Sequence, residues 1–255
     1  MKMGHNIHKF SISKYKLLLK TLKGYDVKFK KYNDNLNSGK NILLRHDVDF
    51  CPLRALEIAK LEKELKVTST YFFLINTNFY NIHSLENTKA VLEILKLGHE
   101  VGLHFDASLF SSNKSLNSEC KKEIEVLEKV IGRKIYIVSF HRPAKNLLSY
   151  EKKIANIEHT YMSKYFKKID YCSDSQGEWR YNTPLSIIKK KTPDDFTLHL
   201  LTHPIWWTTP EQLTAAEKVD FHLKRKNYIY AELAAYNCKP YAVYLSNLQN
   251  SKAKL

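Results

Sequence analysis

The chain has 255 residues, 44% of them hydrophobic, which is enough to enclose a substantial core at a size where one α/β domain is the ordinary outcome. An excess of 41 Lys and Arg over 26 Asp and Glu gives a net charge of +15, with lysine clusters at 28–31, 164–168 and 189–191; this raises the local concentration of anionic partners without choosing among them. No apolar run is long enough to cross a bilayer, residues 1–25 are interrupted by Lys, His and Ser, and Cys51, Cys120, Cys172 and Cys238 form no C-x-x-C pair, so a signal peptide, a membrane span, a zinc knot and a disulfide framework are not expected and a cytoplasmic setting is.

Residues 1–40 read as a helical extension, in which Tyr15-Lys-Leu-Leu-Leu-Lys20 fits either a helix covering one end of the domain or a contact with a membrane surface. The first strand is Asn41 to Asp49, and Pro52 opens a helix to about Leu65 with Leu53, Leu56, Ile58, Leu61 and Leu65 near helical spacing. Thr68 to Ile75, rich in Thr, Tyr and Phe, is a second strand. A helix over Leu85 to Leu97 ends at Gly98, a short strand runs from Glu100 to His104, and a helix over Ser115 to Ile131 is closed by Gly132. Ile135 to Phe140 is the fourth strand; weaker ones lie near Thr160 and at Ile169 to Cys172, and Phe196 to Thr202 is the last. Thr209-Pro-Glu-Gln212 resembles a capping box that starts a helix towards Ala235, within a helical segment spanning 208–255.

Alternating strands and helices of these lengths predict a single domain over 1–255: an α/β fold built as a distorted barrel of about seven strands. The competing doubly wound sheet lacks its phosphate-cradling loop, since neither G-x-G-x-x-G nor G-x-x-x-x-G-K occurs and the chain has only seven glycines. In a parallel barrel the C-terminal strand ends share one mouth, and Asp47, Asp49, His104, Asp106, His141, Arg142, Asp174 and His203 all fall at such ends.

Asp47 and Asp49 stand two apart on one strand and so share a face, and burying both needs a shared cation or proton. A metal site or an acid/base pair meets that need, and so does neutralisation by Arg45, which lies on the same face. By the same parity His104 and Asp106 share a face, His99 and His104 do not, and His199 lies deep enough in its strand for a core role. His5, His8, His83, His159 and His222 have no partner pattern.

Six segments, in order, carry a family resemblance: Arg-His-Asp-Val-Asp at 45–49, Ser-Thr-Tyr-Phe at 69–72, Gly-His-Glu-Val-Gly-Leu-His at 98–104, Phe-His-Arg-Pro at 140–143, Ser-Asp-Ser-Gln-Gly-Glu-Trp at 173–179 and Leu-Leu-Thr-His-Pro at 200–204. Over roughly residues 41–207 the chain resembles the NodB-like polysaccharide deacetylases of carbohydrate esterase family 4, in particular divergent members associated with bacterial surface-polysaccharide synthesis. The resemblance implies a divalent metal that activates water for amide hydrolysis. It implies Asp49 and His104 as metal ligands, Asp47 as general base, Arg142 as the residue orienting and tuning Asp47, His203 as the acid that protonates the leaving amine, and Asp174, near Trp179, as the group holding His203.

Two departures qualify the carry-over. Most members place a second metal histidine four residues after the first, where this chain has Ser108; His141 is the first substitute and Asp106 the second, with His46 a further participant. The aspartates are separated by Val48 rather than adjacent, which leaves the roles of Asp47 and Asp49 open to exchange. Zinc is favoured among several metals that suit such ligands. The expected activity is removal of an N-acyl group, acetyl first, from an amino sugar that is nucleotide- or lipid-linked, in the cytoplasm or at the inner membrane surface, with Trp179, Trp206 and Trp207 as sugar-contacting residues or as packing. Deformylation, opening of a cyclic amide, and a metal-free glycan-binding or scaffold barrel are the alternatives; nucleic-acid binding is not expected, because the lysines lack an interleaved aromatic platform.

Overall fold

A computed structural model describes residues 10–110, 113–148, 150–180, 182–191 and 195–252. Helix α1 (Ile12–Lys23) is capped by the Ser11 side chain and precedes β1 (Lys28–Lys30) and β2 (Lys40–Val48). Next come α2 (Pro52–Glu64), β3 (Thr70–Leu74), α3 (Leu85–Lys96), β4 (Glu100–Asp106), α4 (Asn113–Ile131), β5 (Ile137–His141), the two-residue β6 (Glu158–His159), the short α5 (Ser163–Phe166), β7 (Asp170–Ser173), α6 (Pro184–Lys189), β8 (Phe196–Thr202) and the short α7 (Pro204–Trp207). Helices α8 (Ala215–Asn237) and α9 (Lys239–Lys252) complete the chain.

All ladders are parallel, and the main path of the sheet runs β6-β5-β4-β3-β2-β8-β7. This seven-strand sheet, curled into a half-barrel and flanked by helices, is the α/β architecture expected. Strand β1 was not anticipated. It adds to β2 beside residues 41–43, along the same edge that pairs with β3 from residue 45 onward. Three residues of Lys-Phe-Lys offer too short an alternation to stand out.

Period-two alternation along β2 organises the interior. Leu43 packs at one end with Tyr32, Phe72, Ile137, Met162 and Tyr165, Arg45 occupies the next level, and Asp47 and Asp49 follow towards the C-terminal ends. Each fully buried Leu or Phe of this plug contributes about 1.5–3 kcal/mol. Gly102 permits the close approach of β4: a Cβ there would lie 2.6 Å from Phe72 and 2.7 Å from the Ile137 carbonyl. On the opposite face Ile42, Leu44 and His46 point towards the helices, where α2 buries Ala55, Ile58, Ala59 and Glu62.

The chain divides into a unit of residues 1–211 and a second of 212–255. In the second, α8 and α9 contact each other, and α8 starts at a capping box of Thr214 and Glu217 rather than at Thr209. Thr209 is instead buried and donates to the Ile205 carbonyl. Among the described residues no helix is long and apolar enough to cross a membrane.

Candidate metal centre

Asp49, directly after β2, His104 on β4 and His141 at the end of β5 converge. Asp49 Oδ1 lies 3.2 Å from His104 Nε2 and 3.5 Å from His141 Nδ1, and the two imidazole nitrogens are 3.2 Å apart. A cation bound at about 2.0–2.1 Å in a tetrahedron has ligand atoms about 3.3 Å apart, so these three donors form one face of such a site with the fourth corner open. Asp49 Oδ1 is buried without a hydrogen-bond partner, as a ligand oxygen awaiting a cation would be. Burial and the neighbouring His104 both depress the pKa of His141, which favours the neutral imidazole that ligation requires. The residues present therefore fit a divalent metal.

Asp47 is held from beneath. Arg45 donates from Nε to Oδ1 and from Nη2 to Oδ2, both at 2.8 Å, and also reaches Thr160 Oγ1 at 2.9 Å and Ser139 Oγ at 2.5 Å. Its guanidinium carbon sits 5.5 Å from the Phe72 ring centre and 5.2 Å from that of Tyr161. Burial alone would raise the pKa of Asp47, but Arg45 and then His104 outweigh it and hold the carboxyl well below the usual range. Arg142, expected in this role, is elsewhere. Its side chain is 65% exposed and pairs with Asp106. A left-handed backbone at Arg142 (φ +48°) turns the chain immediately after His141. The tuning cation thus comes from the same strand as the aspartate.

On the other side of Asp49, His203 follows β8. Its Nδ1 lies 2.6 Å from Asp174 Oδ1, while Asp174 Oδ2 accepts from the His203 backbone N–H at 3.1 Å and from Trp207 Nε1 at 2.7 Å. His203 Nε2 is left facing Asp49, 3.9 Å from Oδ2. Burial disfavours the imidazolium, yet Asp174, then Asp49 and Asp47, raise the His203 pKa from 6.5 to about 9.

Several candidates have other places. Asp106 is turned away from the three ligand atoms, accepting from the Ser108 hydroxyl at 2.5 Å, its N–H at 3.1 Å and Arg142. Ser108 therefore serves that aspartate. His46 faces the opposite side of β2, with Nε2 2.8 Å from Glu62 Oε1 and Nδ1 2.8 Å from Thr202 Oγ1, so it is no ligand here. Trp206 and Trp207 are 7% and 3% exposed, so both rings are packed inside the fold. Trp179 is half-buried against Phe10 and Trp207, with ring centres 5.6 and 5.8 Å away. His199 is a core histidine between the Tyr32 hydroxyl at 2.7 Å and the Tyr165 carbonyl at 2.8 Å, its pKa lowered to about 3 by burial first and Arg45 second.

Sequence reasoning missed Ser139 and Glu62. Ser139 shares the inward face with His141 and stands in register with His104, a signal readable from parity. Glu62 accepts hydrogen bonds from Tyr15, Ser69 and Tyr71 at 2.5, 2.6 and 2.7 Å, besides its contact with His46. It completes the stripe Ala55, Ile58, Ala59, Glu62, and a lone carboxylate on an apolar helix face was its signal.

No family model and no curated protein matches the sequence. Solved structures similar to this chain include carbohydrate and peptidoglycan deacetylases and a family 4 pseudoenzyme from Bacillus anthracis. The Streptococcus pyogenes deacetylase PplD in complex with acetate is 10% identical at a TM-score of 0.46, covering 86% of this chain and 92% of its own. The peptidoglycan deacetylase PdaC from Bacillus subtilis is 16% identical at 0.46, covering 80% and 99%. A family 4 carbohydrate esterase from Bacillus anthracis is 17% identical at 0.43, covering 89% and 93%.

Proposed function

We propose that this protein is a metal-dependent hydrolase that removes an N-acyl group, acetyl first, from an amino sugar used in surface-polysaccharide synthesis. The observation that carries the reading is the triangle of Asp49, His104 and His141 donors, open towards a carboxylate on one side and an aspartate-supported imidazole on the other. Zinc is the proposed ion, held by these three residues, and when bound it acidifies water and polarises the acyl carbonyl.

The protein groups divide the proton handling. Asp47, kept ionised by Arg45, accepts the proton released by the attacking water. His203, whose imidazolium Asp174 sustains, gives a proton from Nε2 to the departing nitrogen, while Asp174 fixes the ring through Nδ1. An amine leaves poorly as an anion, so this second proton is what makes C–N cleavage practicable. The net charge of +15 supports an acylated amino sugar carried on a phosphorylated nucleotide or lipid, handled in the cytoplasm or at the inner membrane surface.

The test is release of acetate from nucleotide-linked and lipid-linked N-acetylhexosamines by zinc-loaded protein. Activity that disappears in Asp47→Asn and falls steeply in His203→Gln supports the assignment. Zinc-loaded wild type that releases no acid from any acylated amino sugar overturns it.

A further inference from the structure

Ser139 is fully buried, and its hydroxyl touches Arg45, Asp47 and His104 at once. Oγ lies 2.5 Å from Arg45 Nη2, 2.9 Å from His104 Nδ1 and 3.4 Å from Asp47 Oδ1. A hydroxyl has one proton and two lone pairs, and a guanidinium can only donate, so Arg45 occupies one lone pair. His104 turns Nε2 towards Asp49 and His141, and an imidazole that ligates through Nε2 carries its proton on Nδ1. That proton takes the second lone pair of Ser139, which leaves the serine proton for Asp47. If Ser139 gave its proton to Nδ1 instead, a neutral His104 would carry its own on Nε2 and the ligand position would be closed. With Arg45 already donating, the first arrangement matches every donor and acceptor around Oγ.

We propose that Ser139 is a positioning residue of the metal centre: its hydroxyl, anchored by Arg45, holds His104 as the Nδ1–H tautomer with Nε2 free for a divalent cation, and couples that choice to the alignment of Asp47. This rests on the metal-centre reading above.

The experiment is zinc affinity, measured by competition with a chromophoric chelator, for wild type, Ser139→Ala and the pair Ser139→Thr and Ser139→Val, with thermal unfolding of each metal-free protein alongside. Loss of a group that orients a ligand costs about 10–100-fold in metal affinity, so Ser139→Ala should bind zinc more weakly by that factor. Threonine and valine have nearly the same shape, and the threonine variant should bind zinc at least tenfold more tightly than the valine variant. If alanine does not fold, the Thr/Val pair decides; if the added methyl prevents folding, alanine against wild type decides. Unchanged zinc affinity in Ser139→Ala, or equal affinity in the Thr/Val pair, overturns the role of Ser139 even where the unfolding temperature falls, because a purely structural serine would shift stability alone. Wild type that takes up no zinc removes the metal centre itself, an outcome distinct from zinc-binding variants that do not differ.

Discussion

Asp174→Asn removes the charge that sustains the His203 imidazolium while keeping the shape of the side chain. His203 is 12% exposed, and its pKa of about 9 stands above the ordinary 6.5 of an unfolded chain. In metal-free protein the folded state therefore keeps a proton between those values that the unfolded state releases, and stability falls by about 1.4 kcal/mol per pH unit across the window. The contribution is fully present below pH 6.5 and is lost as pH rises through about 9, roughly 3 kcal/mol in total. Asp49 and Asp47 supply part of the upward shift, so the wild-type advantage over Asp174→Asn should shrink by somewhat less than that between pH 6 and 9.5. Urea unfolding in the presence of a chelator, repeated at half-unit steps, measures the difference directly. Two stability curves that run parallel across the window would refute the argument, because the pH-independent loss of hydrogen bonds to Trp207 and the His203 backbone cannot produce a slope.

Arg45→Met should cost about 3–5 kcal/mol by stranding the buried charge of Asp47, whereas Arg142→Ala, which removes a solvent-exposed guanidinium from an aspartate that Ser108 still satisfies, should cost distinctly less; denaturant titration compares them. Glu62→Gln should lose about 3 kcal/mol at pH 7, since burial is outweighed by His46 and the Glu62 pKa falls from 4.5 to about 2. That advantage is present above pH 4.5 and is lost as pH falls through about 2, so acid unfolding of wild type and variant should converge there. Elemental mass spectrometry should find about one zinc per chain in wild type and in Asp106→Ala, and none in Asp49→Ala or His104→Ala.

The strands that carry the centre were legible because each combines an apolar run with a polar residue at its C-terminal end. Phe196–Thr202 agrees to the residue, and parity alone separated His104 from His99, whose ring bonds Ser69 and the Ala59 carbonyl on the far side of β4. Convergence of Asp49, His104 and His141 followed from their shared place at strand ends. What parity cannot provide is the direction of a long side chain. Arg45 and Arg142 both stand near Asp47 in any barrel drawing, and only the left-handed turn at Arg142 and the reach of Arg45 along its own strand decide which one pairs with it. The aromatic run Trp206-Trp207 was ambiguous for a related reason. Its packing depends on Phe10 and Tyr15, more than 190 positions earlier in the chain, which ring Trp207 at 4.5 and 5.1 Å.

One inward row, running along β2 and into the residue after it, carries the apolar plug, the buried cation and the two carboxylates of the proposed site at Leu43, Arg45, Asp47 and Asp49. Gain or loss of one residue between Asn41 and Asp49 would exchange that row for Ile42, Leu44, His46 and Val48 at a stroke. Length variation is therefore closed to this strand, and inherited change at the site has to enter by substitution within it or by remodelling the loops beyond the strand ends. The site can be retuned one side chain at a time, while its spacing is inherited whole.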